Sequence, residues 1–337
     1  MRQVIIIGSG PAGYTAALYA ARAELKPLLI ASSVDAGGEL MNTTEVENFP
    51  GFPEGVQGPD LMDRMLEQAK KFDTEILLDD VTEVELEGDV KRVRTGGGKT
   101  FEALTVVLAT GSGYRRLGVP GEDRLSGHGV SWCATCDGFF FRQKTIAVVG
   151  GGDSAMEEAT FLTRFAEKVY VIHRGSTLRA SKIMQQRAFD NPKIEFVWNA
   201  TVAEVLGGDL VSGVRLSSTV SEPDRELPLD GLFIAIGNDP RTDLVKGVLE
   251  LTAAGTVAVE GRSSRTSVPV VFAAGDVIDP TYRQAVTAAA SGTVAALDVE
   301  HYLAELPADL LARADGDATP GEAPAAGAPL TPSGQLV

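Results

Sequence analysis

Residues 4–13 read Val-Ile-Ile-Ile-Gly-Ser-Gly-Pro-Ala-Gly, a β-branched run that meets a glycine-rich turn. The alanine-rich stretch Tyr14 to Ala23 then has helical composition, and Pro27 to Ala31 has the composition of a second apolar strand. Strand, glycine turn, helix and strand in this order predict a parallel βαβ unit at the N-terminus.

The turn has the spacing of a dinucleotide-binding motif, GxGxxG. Gly8 permits the tight turn, Gly10 lets the backbone approach a pyrophosphate, and Gly13 lets helix and strand pack closely. Pro11 and Ala12 fall where the first helical amides face phosphate oxygens. A plain tight turn is the alternative, but the flanking strand and helix favour dinucleotide binding.

An acidic residue for the adenosine ribose is expected about 20 residues after the motif. The second strand ends instead in Ala31-Ser32-Ser33. Hydroxyl and backbone groups must then hold the ribose, unless Asp35 reaches back to it.

The same pattern returns in the middle of the chain. Thr145 to Val149 is a predicted strand, Gly150-Gly151-Gly152-Asp153-Ser154-Ala155 the turn, Met156 to Phe165 a helix and Val169 to Ile172 the next strand. The motif tolerates Ala155 as its third small residue, so Gly150 and Gly152 predict a second dinucleotide site. The chain therefore carries two nucleotide-binding units.

Basic residues follow the last strand of the second nucleotide-binding unit. Strand 169–172 runs into His173-Arg174 with no acid to hold a ribose 2′-hydroxyl. An arginine at that place favours a 2′-phosphate through charge-assisted hydrogen bonds, and Arg179 adds to the pocket. NADPH is the nucleotide that this pattern predicts, with a solvated basic turn as the alternative.

Later strands mark the domain boundaries. The predicted strand 104–109 is followed by Thr110-Gly111, and the predicted strand 231–236 is followed by Gly237. A third predicted strand, 268–274, is followed by Gly275-Asp276. A helix is predicted over 283–302, with an interruption at Ser291-Gly292. We expect one domain in two pieces, 1–112 and 240–306, with a second domain inserted at 114–237. The Ala-, Pro- and Gly-rich tail 307–337 has no apolar periodicity and is predicted to be disordered.

The two cysteines of the chain lie in one motif, Cys133-Ala134-Thr135-Cys136. Two intervening residues allow both sulfurs to reach disulfide geometry, and such a pair is easily reduced. Zinc would need two more ligands, and His128 is the only histidine nearby, so we expect no metal site. Asp137 is placed to protonate a departing thiolate, or alternatively to cap a helix.

Two dinucleotide sites and one dithiol indicate an electron route from nicotinamide to flavin to disulfide. Asp276 follows a buried strand and can accept a hydrogen bond from a ribityl hydroxyl. The predicted helix start at Arg283-Gln284-Ala285 can stabilise negative charge on a reduced flavin. A turn aspartate is the alternative for Asp276.

Composition limits the partners and the compartment. The 337 residues are 44% hydrophobic and 23% charged, which predicts ordinary globular domains, and the net charge of −16 argues against nucleic acid. No signal peptide or membrane-spanning run is expected. Two cysteines are too few for a secreted disulfide scaffold, so we expect a cytoplasmic protein in a reducing compartment.

Several longer stretches resemble the low-molecular-weight, bacterial-type thioredoxin reductases. The resemblance covers the chain to about residue 306, through GSGPAGYTAALYAARA from Gly8, TTEVENFPGFP from Thr43, ATG from Ala109, CATCDGFF from Cys133, GGGDSAMEEA from Gly150, FAAGD from Phe272 and YRQAVTAA from Tyr282. It implies an α/β fold of two Rossmann-like, three-layer domains, the NADPH domain inserted in the FAD domain. It also implies a homodimer.

The resemblance implies roles for particular residues. Contacts to FAD would come from Gly8, Gly10, Gly13, Gly38, Glu39, Asn48, Asp276, Arg283, Gln284 and Ala285, and contacts to NADPH from Ser154, Arg174 and Arg179. Cys136 would lie nearer the flavin, Cys133 would attack the thioredoxin disulfide, and Asp137 would donate the proton. The activity implied is NADPH-dependent reduction of thioredoxin.

The chain departs from the family at the phosphate pocket. The family usually reads HRRxxxR where this chain has His173-Arg174-Gly175-Ser176-Thr177-Leu178-Arg179, so Gly175 replaces one arginine. Losing a charge-assisted contact costs about 1.5–3 kcal/mol, roughly tenfold to a hundredfold in affinity. Asn238, Glu39 and Thr293 also differ from the common residues but remove no catalytic group.

Two other functions remain open on the sequence alone, a dithiol oxidase and a redox sensor, while a third, a hydroperoxide-reductase subunit, is not expected. A related flavin-dependent dithiol oxidase would pass electrons from a small-molecule dithiol to oxygen, and the weakened pocket favours it. A non-catalytic flavoprotein redox sensor would bind flavin without turnover, which the intact CATCD motif disfavours. A hydroperoxide-reductase subunit would need an additional N-terminal thiol domain ahead of the first glycine motif.

Overall fold

The computed structural model describes residues 1–34, 36–43, 45–221, 223–307, 310–311 and 314. The chain divides into two compact units: the first holds Met1–Met41, Asp60–Gly111 and the described residues from Pro240 onward, and the second holds Asn42–Pro59 and Ser112–Asp239. The predicted α/β class is confirmed. Within the described residues, no helix is long and apolar enough to cross a membrane.

A seven-stranded sheet forms the core of the first unit. The elements up to Leu108 are β1 (Arg2–Ile7), α1 (Pro11–Arg22), β2 (Leu28–Ala31), β3 (Glu45–Val46), β4 (Val56–Gln57), α2 (Gly58–Lys70), β5 (Glu75–Leu78), β6 (Val81–Glu85), β7 (Lys91–Thr95) and β8 (Thr100–Leu108). The strand order is β5-β2-β1-β8-β7-β6, parallel from β5 to β8 and antiparallel beyond. The central parallel strands β2, β1 and β8 are mostly buried, which explains their long apolar runs, whereas the edge strand β5 is partly exposed.

A five-stranded parallel sheet forms the core of the second unit. Its elements are β9 (Ser112–Tyr114), β10 (Val130–Ser131), α3 (Ala134–Asp137), β11 (Thr145–Val149), α4 (Asp153–Leu162), β12 (Lys168–Ile172), α5 (Lys182–Phe189), β13 (Ile194–Val197), β14 (Ala200–Gly207), β15 (Val211–Ser218), β16 (Arg225–Pro228) and β17 (Gly231–Ile234). The order is β10-β17-β11-β12-β13. Helices α3, α4 and α5 pack on one face, and the antiparallel sheet β14-β15-β16 packs on the other.

Two strands and one α-helix follow in the described part of the chain: β18 (Asn238–Pro240), which pairs with β9, β19 (Val271–Ala273), which joins the first sheet beside β8, and α6 (Ala285–Ala304). The predicted strand 268–274 is shorter because Pro269 has no N–H to donate and Val270 has a φ of 59°. Strand 231–236 likewise ends early, at Ile234.

The interruption predicted at Ser291-Gly292 is wrong, because α6 runs unbroken through both residues. A Cβ atom on Gly292 would lie 2.2 Å from the backbone oxygen of Ala12 in α1. The glycine is therefore needed for close packing of two helices. The Ser291 hydroxyl donates to the oxygen of Ala288 in the preceding turn, which keeps it within the helix.

Both helices after the glycine turns begin three residues earlier than predicted, at Pro11 and at Asp153. Proline suits the first helical position because its missing N–H has no helical partner there. The earlier start places the first-turn amides inside each glycine motif, where a phosphate binds.

Two segments differ from the predicted domain layout. Asn42–Pro59 lies inside the predicted piece 1–112 but groups with the second unit, and its strands β3 and β4 pair only with each other among the described strands. In the tail 307–337, Leu310 and Leu311 pack against the first unit's core and Ala314 is buried, which differs from the disorder predicted for them. Residues 308–309, 312–313 and 315–337 lie outside the described part.

Candidate active site

The first glycine turn has the shape that its sequence predicts. Gly8 has a φ of 109°, and a Cβ there would lie 2.2 Å from the Ala109 oxygen. A Cβ on Gly13 would lie 2.0 Å from the Gly8 oxygen, so both positions require glycine. Gly10 faces open space, with no described atom within 4 Å of a Cβ built on it. Pro11 and Ala12 open α1 here, so bare backbone and first-turn amides face this space.

Four further predicted residues gather beside this turn. A Cβ on Gly38 would come within 3.3 Å of the Gly10 Cα atom, so Gly38 lines the same opening. Glu39 forms an ion pair with Arg241. Thr110 donates its hydroxyl to the Arg241 oxygen at 2.7 Å, and Gly111 accepts from the Arg241 N–H at 3.0 Å. Sequence reasoning missed Arg241, because nothing near it in the chain marks it as the partner of three distant residues.

The residues before α6 belong to the same unit. Gly275 has a φ of 81°, and its Cβ would meet the Ala12 Cβ at 2.8 Å, so the turn carrying Asp276 lies against the start of α1. Gln284 caps α6, which begins at Ala285. Asp279 accepts hydrogen bonds from the N–H groups of Thr281, Tyr282 and Arg283 at 2.8–2.9 Å and shapes the loop that leads into the helix.

Two other residues were considered for FAD. Asn48 lies in the segment that groups with the second unit. Asp35, the sequence-based alternative for the ribose, lies outside the described part.

The second glycine turn repeats the arrangement. A Cβ on Gly150, whose φ is 154°, would lie 2.4 Å from the Ala235 oxygen and 2.7 Å from the Ala155 Cβ. Gly152 faces open space, and Ser154 is exposed in the first turn of α4. The residues that the sequence assigned to the turn therefore surround an accessible helix N-terminus.

The His173 ring packs against this glycine turn. It is buried, and a Cβ on Gly151 would lie 2.4 Å from its ring. Its Nε2 atom pairs with the Thr177 oxygen at 3.0 Å, while the Gly151 oxygen accepts from the Arg179 N–H at 2.8 Å. The loop 173–179 is thereby fixed to the glycine turn.

Arg174 and Arg179 are exposed, and neither guanidinium makes an ion pair with any residue that the structure describes. The Thr219 hydroxyl donates to the Arg174 oxygen at 2.9 Å, and the Asn199 N–H donates to the Gly175 oxygen at 3.3 Å. Thr219 and Asn199, which sequence reasoning missed, hold the backbone of the basic loop while its cationic side chains remain available to an anion.

Cys133 and Cys136 form a disulfide at the start of α3, with their Cα atoms 5.3 Å apart. The Cys136 N–H donates to the Cys133 Sγ atom at 3.2 Å, a contact that would stabilise a thiolate on Cys133 after reduction. The described residues contain no cluster of three or more His, Cys, Asp or Glu side chains suited to a metal.

Asp137 lies next to the disulfide and accepts a hydrogen bond from the Ser131 hydroxyl at 2.5 Å. The same hydroxyl oxygen accepts from the Cys133 N–H at 3.1 Å, so Ser131 joins the carboxyl group to the first cysteine. Burial raises the pKa of the Asp137 carboxyl, and the hydrogen bond from Ser131 opposes part of that rise. Asp137 occupies the N-cap position of the 3-10 helix Gly138–Phe141, but its side chain makes no capping hydrogen bond, which disfavours capping as the role of its carboxyl group.

Two dinucleotide turns and a CxxC disulfide in one α/β chain define a class: oxidoreductases that connect a nicotinamide, a flavin and a dithiol. The sequence profile of the pyridine nucleotide-disulphide oxidoreductases matches residues 2–292, and the chain belongs to this family.

Three proteins similar to this chain indicate a particular group within this family. The thioredoxin reductase of Streptomyces coelicolor is 58% identical, over 91% of this chain and 95% of its own length. The bifunctional thioredoxin reductase/thioredoxin of Mycobacterium leprae is 55% identical, over 90% of this chain and 66% of its own length. The crystal structure of thioredoxin reductase from Streptococcus pyogenes has a TM-score of 0.86 and 44% identity, and the match covers 90% of this chain and 98% of that one.

Proposed function

We propose that the chain is a thioredoxin-disulfide reductase, which passes electrons from NADPH through FAD and the Cys133/Cys136 pair to oxidised thioredoxin. The observation that carries the proposal is the CxxC disulfide beside a partly buried carboxyl group of raised pKa, in a chain with two open glycine turns. The relatives, at 55–58% identity, are named thioredoxin reductases.

FAD and NADPH fit the residues of the two turns. Bare backbone at Gly10 and the free amides of α1 suit a pyrophosphate, and the open Gly152 with the two unpaired arginines suits a nucleotide with a 2′-phosphate. When bound, the nicotinamide would donate a hydride and the flavin would accept it, chemistry that no side chain of the protein can perform.

The first unit would hold FAD and the second NADPH. The FAD residues of the proposal are Gly8, Gly10, Pro11, Ala12, Gly13, Gly38, Glu39, Asn48, Thr110, Gly111, Gly275, Asp276, Arg283, Gln284 and Ala285. The NADPH residues are Gly150, Gly152, Ser154, Ala155, His173, Arg174 and Arg179, with His173 acting through the loop it supports.

The dithiol would exchange with thioredoxin in two steps. The Cys133 thiolate attacks the substrate disulfide to form a mixed disulfide, and the Cys136 thiolate then displaces the substrate and closes the Cys133–Cys136 bond. Each thiolate that leaves thioredoxin takes up a proton, and Asp137 is the group placed to supply one because its raised pKa keeps it protonated to higher pH.

Thioredoxin and a second copy of the chain are the partners of the proposal, and the cytoplasm is its compartment. The M. leprae relative supports the first partner, since its name joins a thioredoxin reductase to a thioredoxin. The two cysteines of the chain, both in the CxxC motif, fit a reducing compartment.

Purified protein tests the proposal directly. We expect NADPH oxidation that depends on oxidised thioredoxin and continues without oxygen. Oxygen consumption driven by a small-molecule dithiol, with no response to NADPH and thioredoxin, would instead establish the dithiol oxidase, which the relatives do not favour.

Gly175→Arg is expected to lower KM for NADPH about tenfold, since one charge-assisted hydrogen bond to the 2′-phosphate is added. The position has room: a Cβ there would meet only ordinary contacts, the nearest at 3.5 Å from His173 Nε2. Steady-state kinetics with NADPH and NADH measure the effect, and KM for NADH should stay unchanged. Ser176→Arg, which adds the same charge at the next exposed position, is the control. Equal changes for both nucleotides would contradict this account of the pocket.

A further inference from the structure

The end of strand β2 lacks the acidic residue that dinucleotide-binding folds use for the adenosine ribose. The strand ends at Ala31 and continues into Ser32 and Ser33, whose hydroxyls carry no charge. A charged acceptor is normally found at this point because a ribose 2′-hydroxyl donates to it. The first unit therefore needs a ribose acceptor from elsewhere in the chain.

The neighbouring strand β5 supplies a carboxylate at this place. β5 runs parallel to β2, with Ala31 opposite Leu78, so the two strands end side by side. The Asp79 N–H donates to the Ala31 oxygen at 2.9 Å and continues the pairing by one residue. Asp80 then turns toward β2, where its Oδ1 atom accepts from the Ser33 N–H at 3.3 Å and its Oδ2 atom accepts from the Ser33 hydroxyl.

We propose that Asp80, together with Ser33, binds the ribose hydroxyls of the FAD adenosine and so replaces the acid missing from the end of β2. The inference rests on the proposed function, since it takes FAD as the nucleotide of the first unit. The Ser33 hydroxyl gives its hydrogen to Asp80 and keeps its lone pairs to accept from a ribose hydroxyl. The Asp80 carboxylate accepts from the Ser33 N–H, the Ser33 hydroxyl and the Ser32 hydroxyl, so one of its four lone pairs is left for the other ribose hydroxyl.

Two observations support this role. Hydrogen bonds from Ser33 and Ser32 lower the pKa of Asp80, so the carboxylate is ionised at neutral pH and acts as an acceptor only. Its negative charge would repel a 2′-phosphate, which suits FAD and contrasts with the basic loop of the second unit.

The adjacent Asp79 offers a matched control. Its carboxylate accepts from the Gly97 N–H at 3.1 Å and from the Asp80 N–H at 2.9 Å. The Asp79 carboxylate is therefore already hydrogen-bonded to the loop between β7 and β8. Asp79→Asn and Asp80→Asn remove the same charge from neighbouring positions. Only the second is expected to alter nucleotide binding.

The test is the Kd of FAD for apoprotein, followed by quenching of flavin fluorescence. Asp80→Asn should raise the Kd about tenfold to a hundredfold, the loss of a hydrogen bond to a charged group, while Asp79→Asn stays within twofold of wild type. FAD built on 2′-deoxyadenosine should bind the wild type more weakly than FAD does. The two nucleotides should differ less in Kd for Asp80→Asn than they do for the wild type.

An unchanged Kd in Asp80→Asn, or an equal rise in Asp79→Asn, would overturn the proposal. So would equal binding of FAD and its 2′-deoxy analogue to the wild type, a measurement that needs no variant to fold. A wild type that binds FAD but does not reduce thioredoxin would disprove the proposed function and leave the ribose assignment standing.

Discussion

Cys136→Ser is expected to reduce thioredoxin turnover to background while the protein keeps its FAD. The chain has two cysteines, and they form one disulfide, so the variant has no second sulfur with which to close the bond. Flavin binding should persist because the residues proposed to bind FAD, apart from Asn48, lie in the first unit. The NADPH-dependent rate with oxidised thioredoxin and the flavin absorption of the purified variant measure the two parts.

Cys133→Ser should be equally inactive, whereas Thr135→Ala, which alters the exposed residue between the cysteines, should retain turnover. Thioredoxin reduction by Cys136→Ser above one-tenth of the wild-type rate would show that electrons leave the protein by another route. The dithiol mechanism would then be wrong.

Asp137→Asn is expected to slow thioredoxin reduction about a hundredfold or more, the usual contribution of a positioned general acid. The side chain keeps its shape and the acceptor for the Ser131 hydroxyl but loses the proton it would donate. Steady-state rates over a range of pH measure the effect. In the wild type the rate should fall as pH rises through the raised pKa of Asp137, and that decrease should be absent from the variant.

The same substitution has a predicted effect on stability. Because burial raises the pKa of Asp137 in the folded state, its charged form costs free energy of folding that its neutral form does not. The stabilisation is complete below the usual carboxyl pKa and is lost as pH rises through the folded value. Asp137→Asn should therefore match the wild type at pH 4 and be at least as stable at pH 8 in thermal unfolding. A variant less stable than wild type at pH 8 would contradict the direction of the shift.

Local constraints made the two glycine turns predictable from sequence. Gly8 and Gly150 have positive φ angles and close backbone neighbours, which only glycine satisfies, so the motif spacing determines the turn. The CxxC pair was equally clear, because three residues of separation fix the distance between the sulfurs.

Contacts between distant parts of the chain could not be predicted. Gly292 resembles a helix break in sequence, and only its approach to Ala12 explains its place inside α6. The Thr219 hydroxyl reaches Arg174 from 45 residues away, and Arg241 meets Glu39 across 202 residues. These partners carry no local sequence signal, so the predicted site held the motif residues but not those that position them.

Anaerobic titration of the purified protein with NADPH, and in parallel with NADH, tests the central claim most directly. The account predicts loss of the oxidised flavin absorption at lower concentrations of NADPH than of NADH, because Arg174 and Arg179 are proposed to bind the 2′-phosphate. A folded, yellow protein whose absorption neither nucleotide changes would contradict it, since the second glycine turn would then deliver no electrons to the flavin.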